Sequence, residues 1–256
     1  MIDLYIHGCN GGIGGVGRQT TCYGIGEHII IDAGTGLATL TLKQLAKIDH
    51  VVLTHAHLDH VACLPLMIDS VTGVRKQPVT VWASSEVIDL LSVHLLNGQI
   101  WPDFTKIPSL DAPFMRFKAL TPEGADIAGY HFMPLPAAHG IPACGYLVNR
   151  AGSAIAFSGD TGDCPEFWAR IATEPRLSAV VVECSYPAAM IDMANLSQHM
   201  HTEILVKRIN ALPNQVISVI VHRKPGLEQQ IANELQVGLS NRDVRLPEPG
   251  QHYSFN

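Results

Sequence analysis

Between Thr54 and His60 the chain sets three imidazoles and a carboxylate, His55, His57, Asp59 and His60, directly after the apolar run Val51-Val52-Leu53. Imidazole and carboxylate are the donor set that suits zinc, manganese or iron, provided several such groups converge within a few ångströms. His55 and His57 alternate along the chain and so face one ion. Asp59 and His60 are adjacent, point away from that pair, and face a second. A chelating cluster at the end of a buried strand has no evident folding purpose. Two ions held side by side, about 3.5–4 Å apart, are a hydrolytic device, so this stretch points to an enzyme.

Three more polar residues stand at the ends of apolar strands. His139 follows Met133-Pro134-Leu135, Asp160 follows Ile155-Ala156-Phe157-Ser158-Gly159, and His222 closes the run from Val216 to Val221. Taken singly each is an ordinary strand-end residue. Beside a two-ion cluster they become the further ligands and the bridging carboxylate that such a centre needs. The run Gly12-Ile13-Gly14-Gly15-Val16-Gly17 formally matches G-x-G-x-x-G. A dinucleotide site is excluded, because the chain continues from Arg18 as a strand and not as the helix that motif requires. It is expected to be a loop at the site entrance.

The elements that must carry these residues follow from the pattern. Alternation at Ile2, Leu4 and Ile6 predicts a first strand, and residues 20–23, 28–32, 51–53 and 79–81 predict four more. Leu37, Leu40, Leu42, Leu45 and Ala46 fit one face of a helix, and Val87, Leu90, Leu91 and Leu95 another. A helix over 61–68 fits if Pro65 falls in its first turn. Residues 97–113 lack a regular pattern, which suggests a lid or binding loop, and Trp101, Phe104 and Tyr186 are aromatic candidates for stacking on a base. From residue 114 the chain is expected to repeat the order of its first half. Strands fall near 114–120, 131–135, 145–148, 154–157, 177–182 and 216–221, and helices begin near 165, 201 and 227. That order predicts two sheets packed face to face with helices outside.

Composition sets the bounds. The 256 residues, 47% hydrophobic and 16% charged, support one large domain over 1–256, with no repeat or linker to divide it. No segment approaches the roughly 18–20 apolar residues of a membrane span. The N-terminus lacks the basic-then-apolar order of a signal peptide. The net charge of −6 argues against a surface built for large nucleic acids. It leaves room for a small phosphate ester, since metal ions supply local positive charge. Cys9, Cys22, Cys63, Cys144, Cys164 and Cys184 are scattered without a C-x-x-C pair, as expected of free thiols in the cytoplasm.

The order H-x-H-x-D-H, then His, Asp and His, resembles the metallo-β-lactamase superfamily over nearly the whole chain. The resemblance implies a four-layer αββα sandwich with the site at one edge between the sheets. It implies two divalent ions, zinc by default with manganese or iron possible in its place: His55, His57 and His139 on the first, Asp59, His60 and His222 on the second, Asp160 bridging. It places Asp32, at the end of Ile29-Ile30-Ile31, behind a ligand histidine whose tautomer it fixes. Leu58 within the cluster, Val182-Glu183-Cys184-Ser185-Tyr186, and Val221-His222-Arg223-Lys224-Pro225-Gly226 are similar to class II cyclic-nucleotide phosphodiesterases. Cys63 departs slightly, standing where that family commonly has Gly or Ser.

The resemblance implies hydrolysis of a 3′,5′-cyclic nucleotide, cyclic AMP foremost, to the 5′-monophosphate. Asp59 and Asp160 would act at the centre. Glu183 and the His201-Thr202 helix start would form a proton relay in which His201 protonates the leaving oxygen, with His199 as the second candidate donor. A small-molecule partner and a homodimer complete the expectation. A ribonuclease Z-type enzyme shares the ligand set but usually carries a basic arm for tRNA, and no such insertion stands here. A lactone or thioester hydrolase on the same fold is also compatible with the ligand set, as is a sensor that binds without chemistry.

Overall fold

The computed structural model describes residues 1–256. In chain order its elements are β1 (Ile2–Gly8), β2 (Cys22–Ile25), β3 (Ile29–Ile31), α1 (Leu42–Leu45), β4 (His50–Val52), α2 (Leu58–Val61), α3 (Leu64–Val71), β5 (Val79–Ala83), α4 (Ser85–His94) and β6 (Met115–Ala119). There follow β7 (Ala125–Ile127), β8 (Tyr130–Pro136), β9 (Cys144–Arg150), β10 (Ser153–Phe157), α5 (Pro165–Ala172), β11 (Leu177–Glu183), α6 (Ile191–Ser197), α7 (Thr202–Asn210), β12 (Ile217–Val221), α8 (Glu228–Gly238), β13 (Val244–Arg245) and β14 (His252–Phe255).

Two seven-stranded sheets result, ordered β14-β1-β2-β3-β4-β5-β6 and β13-β12-β11-β10-β9-β8-β7. Side chains that alternate on a strand face opposite ways, and this sorts the core into layers. Ile2, Leu4 and Ile6 of β1 meet Phe132, Tyr146, Ile155, Phe157 and Val181 between the sheets. Ala154, Ala156, Val180 and Val182 face outward under Phe167, Trp168, Leu205, Ile209, Ile231 and Leu235 of α5, α7 and α8. On the other side Val51, Val79 and Val81 lie under Leu64, Met67, Ile68, Val87 and Leu91 of α3 and α4. The expected αββα sandwich is the observed one.

Local chemistry sets the element ends. Pro65 and Pro165 each fall in the first turn of their helices, α3 and α5, where the missing N–H costs nothing. The single helix expected over Leu37 to Ala46 is instead a 3₁₀ turn, Thr35–Thr39, followed by α1, because Thr41 and Gln44 form a capping box that starts a new helix. The strand near 114–120 does not open the second sheet. As β6 it pairs parallel with β5 and closes the first, and the C-terminal β14 returns to pair with β1. The 97–113 stretch has no regular element, but Phe104 and Trp101 pack into the core under the first sheet and are not offered for stacking. All six cysteines are free thiols. No helix is long and apolar enough to cross a membrane.

The parallel pairings fix where polar residues gather. β3 and β4 run parallel, as do β10, β11 and β12, and β8 runs with β10 through two antiparallel steps. Their C-terminal ends therefore share an edge of each sheet, and Asp32, Thr54, His139, Asp160, Glu183 and His222 all stand at or just beyond those ends.

Candidate metal centre

β4 leaves the sheet through Leu53 and continues extended to His57, which has φ −66° and ψ 148° and caps the single-turn helix α2. The extended stretch brings His55 Nε2 within 3.1 Å of His57 Nδ1, and His139 Nε2 lies 3.1 Å from the same atom. The helical turn swings Asp59 and His60 to the neighbouring position, where His222 Nε2 is 3.2 Å from Asp59 Oδ2 and 3.5 Å from His60 Nε2. Asp160 reaches both groups, with oxygens 3.8 Å from His55 Nε2, 3.3 Å from His60 Nε2 and 3.2 Å from His222 Nε2. The donor atoms of His55, His57, His139 and Asp160 lie within 4.8 Å of one another, as do those of Asp59, His60, Asp160 and His222.

A relay of carboxylate, hydroxyl and imidazole fixes which nitrogen of each ring is free. Asp32 Oδ2 accepts from His60 Nδ1 at 2.7 Å and from the Thr54 hydroxyl at 2.8 Å, while that hydroxyl accepts from His55 Nδ1 at 2.9 Å. Glu183 repeats the device. Its Oε1 accepts from His199 Nδ1 at 2.8 Å and its Oε2 from the Ser185 hydroxyl at 2.8 Å, which in turn accepts from His222 Nδ1 at 3.1 Å. The Gln198 carbonyl accepts from His139 Nδ1 at 3.2 Å. For His55, His139 and His222 this turns Nε2 into the site, the nitrogen that carries the lone pair when the ring is neutral.

Backbone strain collects here. Asp32 (φ 57°), Gln198 (φ 53°) and His222 (φ 58°) are non-glycine residues in the left-handed region, a conformation that persists where surrounding structure imposes it and clusters at functional sites. For His222 the imposition is visible: its N–H donates to Cys9 O at 2.7 Å, and Gly11 N–H donates to Arg223 O at 3.0 Å. A Cβ at Gly11 would stand 2.5 Å from the His222 carbonyl oxygen, so only glycine lets the Gly-rich loop rest on this ligand.

The donor set fits divalent cations. Imidazole nitrogens and the Asp160 and Asp59 carboxylates converge within 4.8 Å of one another in each group, and crowding so many acceptors in a buried place is costly unless a proton or a cation joins them. Burial pushes the pKa of His55 well below the usual range and lowers His57 and His139, and neutral imidazole is the form that binds metal. His60 differs. Burial opposes its charge, but Asp160 and Asp32 overcome that and raise its pKa well above normal. Burial likewise disfavours ionised Asp160, yet His222, His60 and His55 hold it well below the carboxylate range.

The structure thus brings together His55, His57, Asp59, His60, His139, Asp160 and His222, with Asp32 behind His60 and His55. The expected pairing of Glu183 with His201 is not found. Gln198 ends α6 in a left-handed turn that delivers His199 to Glu183, and Met200 N–H also donates to Glu183. His201 is the N-cap residue of α7, its Nδ1 is buried without a partner, and the next residue, Thr202, is bonded to Glu234 of α8. Thr54, Ser185 and Gln198 are site residues that the sequence pattern does not single out. Thr54 adjoins the histidine cluster and Ser185 lies two residues beyond Glu183, so a hydroxyl beside a ligand or a strand-end acid is the signal that marks them.

The family model described as a beta-lactamase superfamily domain matches residues 27–222, so the chain belongs to the β-lactamase superfamily, in its metal-binding-fold form. A Yersinia pestis protein named as a probable 3′,5′-cyclic-nucleotide phosphodiesterase is 28% identical over 223 residues, 75% of this chain and 63% of that protein. The fission-yeast endoribonuclease ysh1 is 30% identical over 183 residues, covering 64% of this chain and 23% of that one. The chain therefore spans less than two thirds of the length of either relative. The unliganded crystal structure of yeast PDE1 superposes with a TM-score of 0.78 over 98% of both chains at 18% identity, a likeness of fold.

Proposed function

We propose that the chain is a metal-dependent phosphodiesterase whose substrate is a 3′,5′-cyclic nucleotide, cyclic AMP foremost. The observation that carries this reading is the Glu183–His199 pair. The His199 ring stacks on His222 with centroids 5.3 Å apart and lies 5.2 Å from His139, so a proton donor borders both ligand groups. Burial opposes its charge, but the Glu183 carboxylate prevails and raises the His199 pKa, which favours the protonated form near neutral pH. With Nδ1 held by Glu183, His199 Nε2–H is the atom left to protonate the 3′-oxygen as its bond to phosphorus breaks. A group that only binds has no need of such an acid.

Two divalent cations, zinc by default, held by the two ligand groups would supply Lewis acidity at the phosphoryl oxygens. Asp59, 29% exposed and kept ionised by His222 and His60 against the effect of burial, is the carboxylate open to the substrate side and orients the incoming water. The Tyr186 ring lies 6.2 Å from His199 and would border the nucleoside.

The sequence relation to the fission-yeast endoribonuclease supports a second reading, RNA cleavage at the same site, against which stands the net charge of −6. The deciding experiment assays metal-loaded protein on cyclic AMP, cyclic GMP, bis(p-nitrophenyl) phosphate, a lactone and a tRNA precursor, with metal content measured on the same sample. Turnover of cyclic nucleotide above the rest of the panel is expected. Folded, metal-loaded protein that cleaves the RNA or the lactone but neither cyclic nucleotide would defeat the reading.

A further inference from the structure

One carboxylate from outside the centre holds both legs of the segment that carries His199. β11 ends at Glu183, and past Tyr186 the chain makes an excursion through a 3₁₀ turn at Ala188–Met190 and then α6. It returns at Met200 and starts α7 at Thr202. The two legs meet in a narrow neck. Met200 O accepts from Ser185 N–H at 3.0 Å and from Tyr186 N–H at 3.2 Å, and Tyr186 O accepts from Thr202 N–H at 3.0 Å. His199 is the last residue inside that neck, so its position depends on how the neck is held.

Glu183 holds it from within, accepting from His199 Nδ1 and from Met200 N–H. Glu234 of α8 holds it from without. A single oxygen, Oε2, accepts from Ala188 N–H at 2.9 Å on the outgoing leg and from the Thr202 hydroxyl on the returning one. The other oxygen, Oε1, accepts from the Gln230 amide at 3.0 Å, one helical turn earlier. The helix that presents this carboxylate is itself fixed, since Ile231 and Leu235 share the buried outer layer with Leu205 and Ile209 of α7. Burial opposes the charge of Glu234, but the Thr202, Ala188 and Gln230 donors prevail and lower its pKa. An ionised acceptor makes stronger hydrogen bonds than a neutral one.

We propose that Glu234 is a positioning residue for hydrolysis: by bonding both legs of the excursion through one oxygen, it holds His199 where Nε2 meets the leaving oxygen. This role rests on the reading of His199 as the general acid and adds to it the residue that aims the ring. Glu183 alone fixes which way the imidazole turns. The place of the backbone beneath it is set by the neck, and Glu234 is the side chain that ties the neck to the helical layer.

The test follows amide hydrogen exchange and kinetics in metal-loaded wild type, Glu234→Ala, Glu234→Gln and Thr202→Val, with metal content determined on the same samples. Exchange over residues 186–202 is expected to quicken about tenfold in Glu234→Ala while β12 keeps its protection. Its kcat for cyclic AMP should fall about 10–100-fold with KM unchanged, the loss expected of a misplaced catalytic group. On bis(p-nitrophenyl) phosphate, whose phenolate departs without being protonated, the loss should stay below about twofold; general damage would lower both rates alike. Added to His199→Ala, Glu234→Ala should cost nothing further. Glu234→Gln keeps an oxygen for both donors and should recover most of the rate, and Thr202→Val, which cuts one leg only, should show the same pattern at smaller size. Equal exchange over 186–202 in wild type and Glu234→Ala overturns the proposal, and so does an equal loss on the two substrates. Faster exchange in Glu234→Ala, from a wild type that turns over no cyclic nucleotide, keeps the clamp and removes the phosphodiesterase reading. Cyclic-nucleotide turnover with unchanged kcat in Glu234→Ala does the reverse.

Discussion

Two carboxylates, Asp32 and Glu183, hold the orientation of four imidazoles. Asp32 sets His60 directly and His55 through Thr54; Glu183 sets His199 directly and His222 through Ser185. Losing either carboxylate frees two rings to turn or change tautomer, so Asp32→Ala is expected to lower metal affinity about 10–100-fold, read by competition with a chelating indicator. Ser185→Ala, which loosens one ring only, should cost less. His199→Ala should reduce kcat by about 10²–10⁴-fold with metal content unchanged, the loss typical of a missing general acid. His201→Ala should remain near wild type in kcat. A large kcat loss in His201→Ala with His199→Ala unaffected would return the donor role to the helix start.

At the scale of elements, what was legible in the sequence depended on how local the determining contact is. His55, His57, Asp59 and His60 were legible because one strand exit and one helical turn place all four, without help from elsewhere. His139, Asp160 and His222 could be found as strand ends, since an apolar run closing on a polar residue is a local pattern. The sheet that owns β6 was not legible, because pairing with β5 across the 31 intervening residues leaves no mark on Met115–Ala119 itself. The sequence favoured His201, and that His199 meets Glu183 instead was hidden for a similar reason: it depends on the left-handed turn at Gln198, a conformation its side chain does not announce. That turn also carries the carbonyl that holds His139, which makes it testable. Gln198→Gly accepts a positive φ freely and should keep activity. Gln198→Ile is disfavoured there by about 1–2 kcal/mol or more and should lower kcat, with a weaker hold on the metal that His139 shares. Equal kcat in the two variants would mean that the turn does not position His199.

Across the whole molecule the candidate centre draws on both sheets: its donor side chains come from just beyond β4, β8, β10 and β12, and a cation bound there would cross-link the edge of the sandwich. An ion present at about 100 times its Kd adds about 2.7 kcal/mol, and about 2–4 °C of Tm accompanies each kcal/mol in a domain of this size. Metal-loaded protein should therefore melt about 5–10 °C above chelator-treated protein for each ion bound. The pH dependence of that gap follows from His60. In the ion-free protein its pKa is raised by Asp160 and Asp32, so the stability it contributes is fully present below the unfolded value near 6.5 and is lost as pH climbs through the raised one. Asp160 and Asp59 have depressed values, so their contribution is present above the unfolded carboxylate range and lost as pH falls through the depressed ones; between pH 6 and 8 they stay ionised. His55, His57 and His139 are lowered by burial, so they oppose this trend less than free imidazoles would. As pH rises over 6–8 the ion-free protein thus weakens at one site, and expelling the His60 proton costs cation binding less. The difference in Tm between loaded and stripped protein should widen from pH 6 to pH 8 and widen less in Asp32→Asn, which removes one of the two charges that hold the proton. A gap that stays flat or narrows in the wild type, measured by calorimetry at fixed free metal, would mean that His60 does not exchange a proton for a cation and that the second ligand group is mistaken.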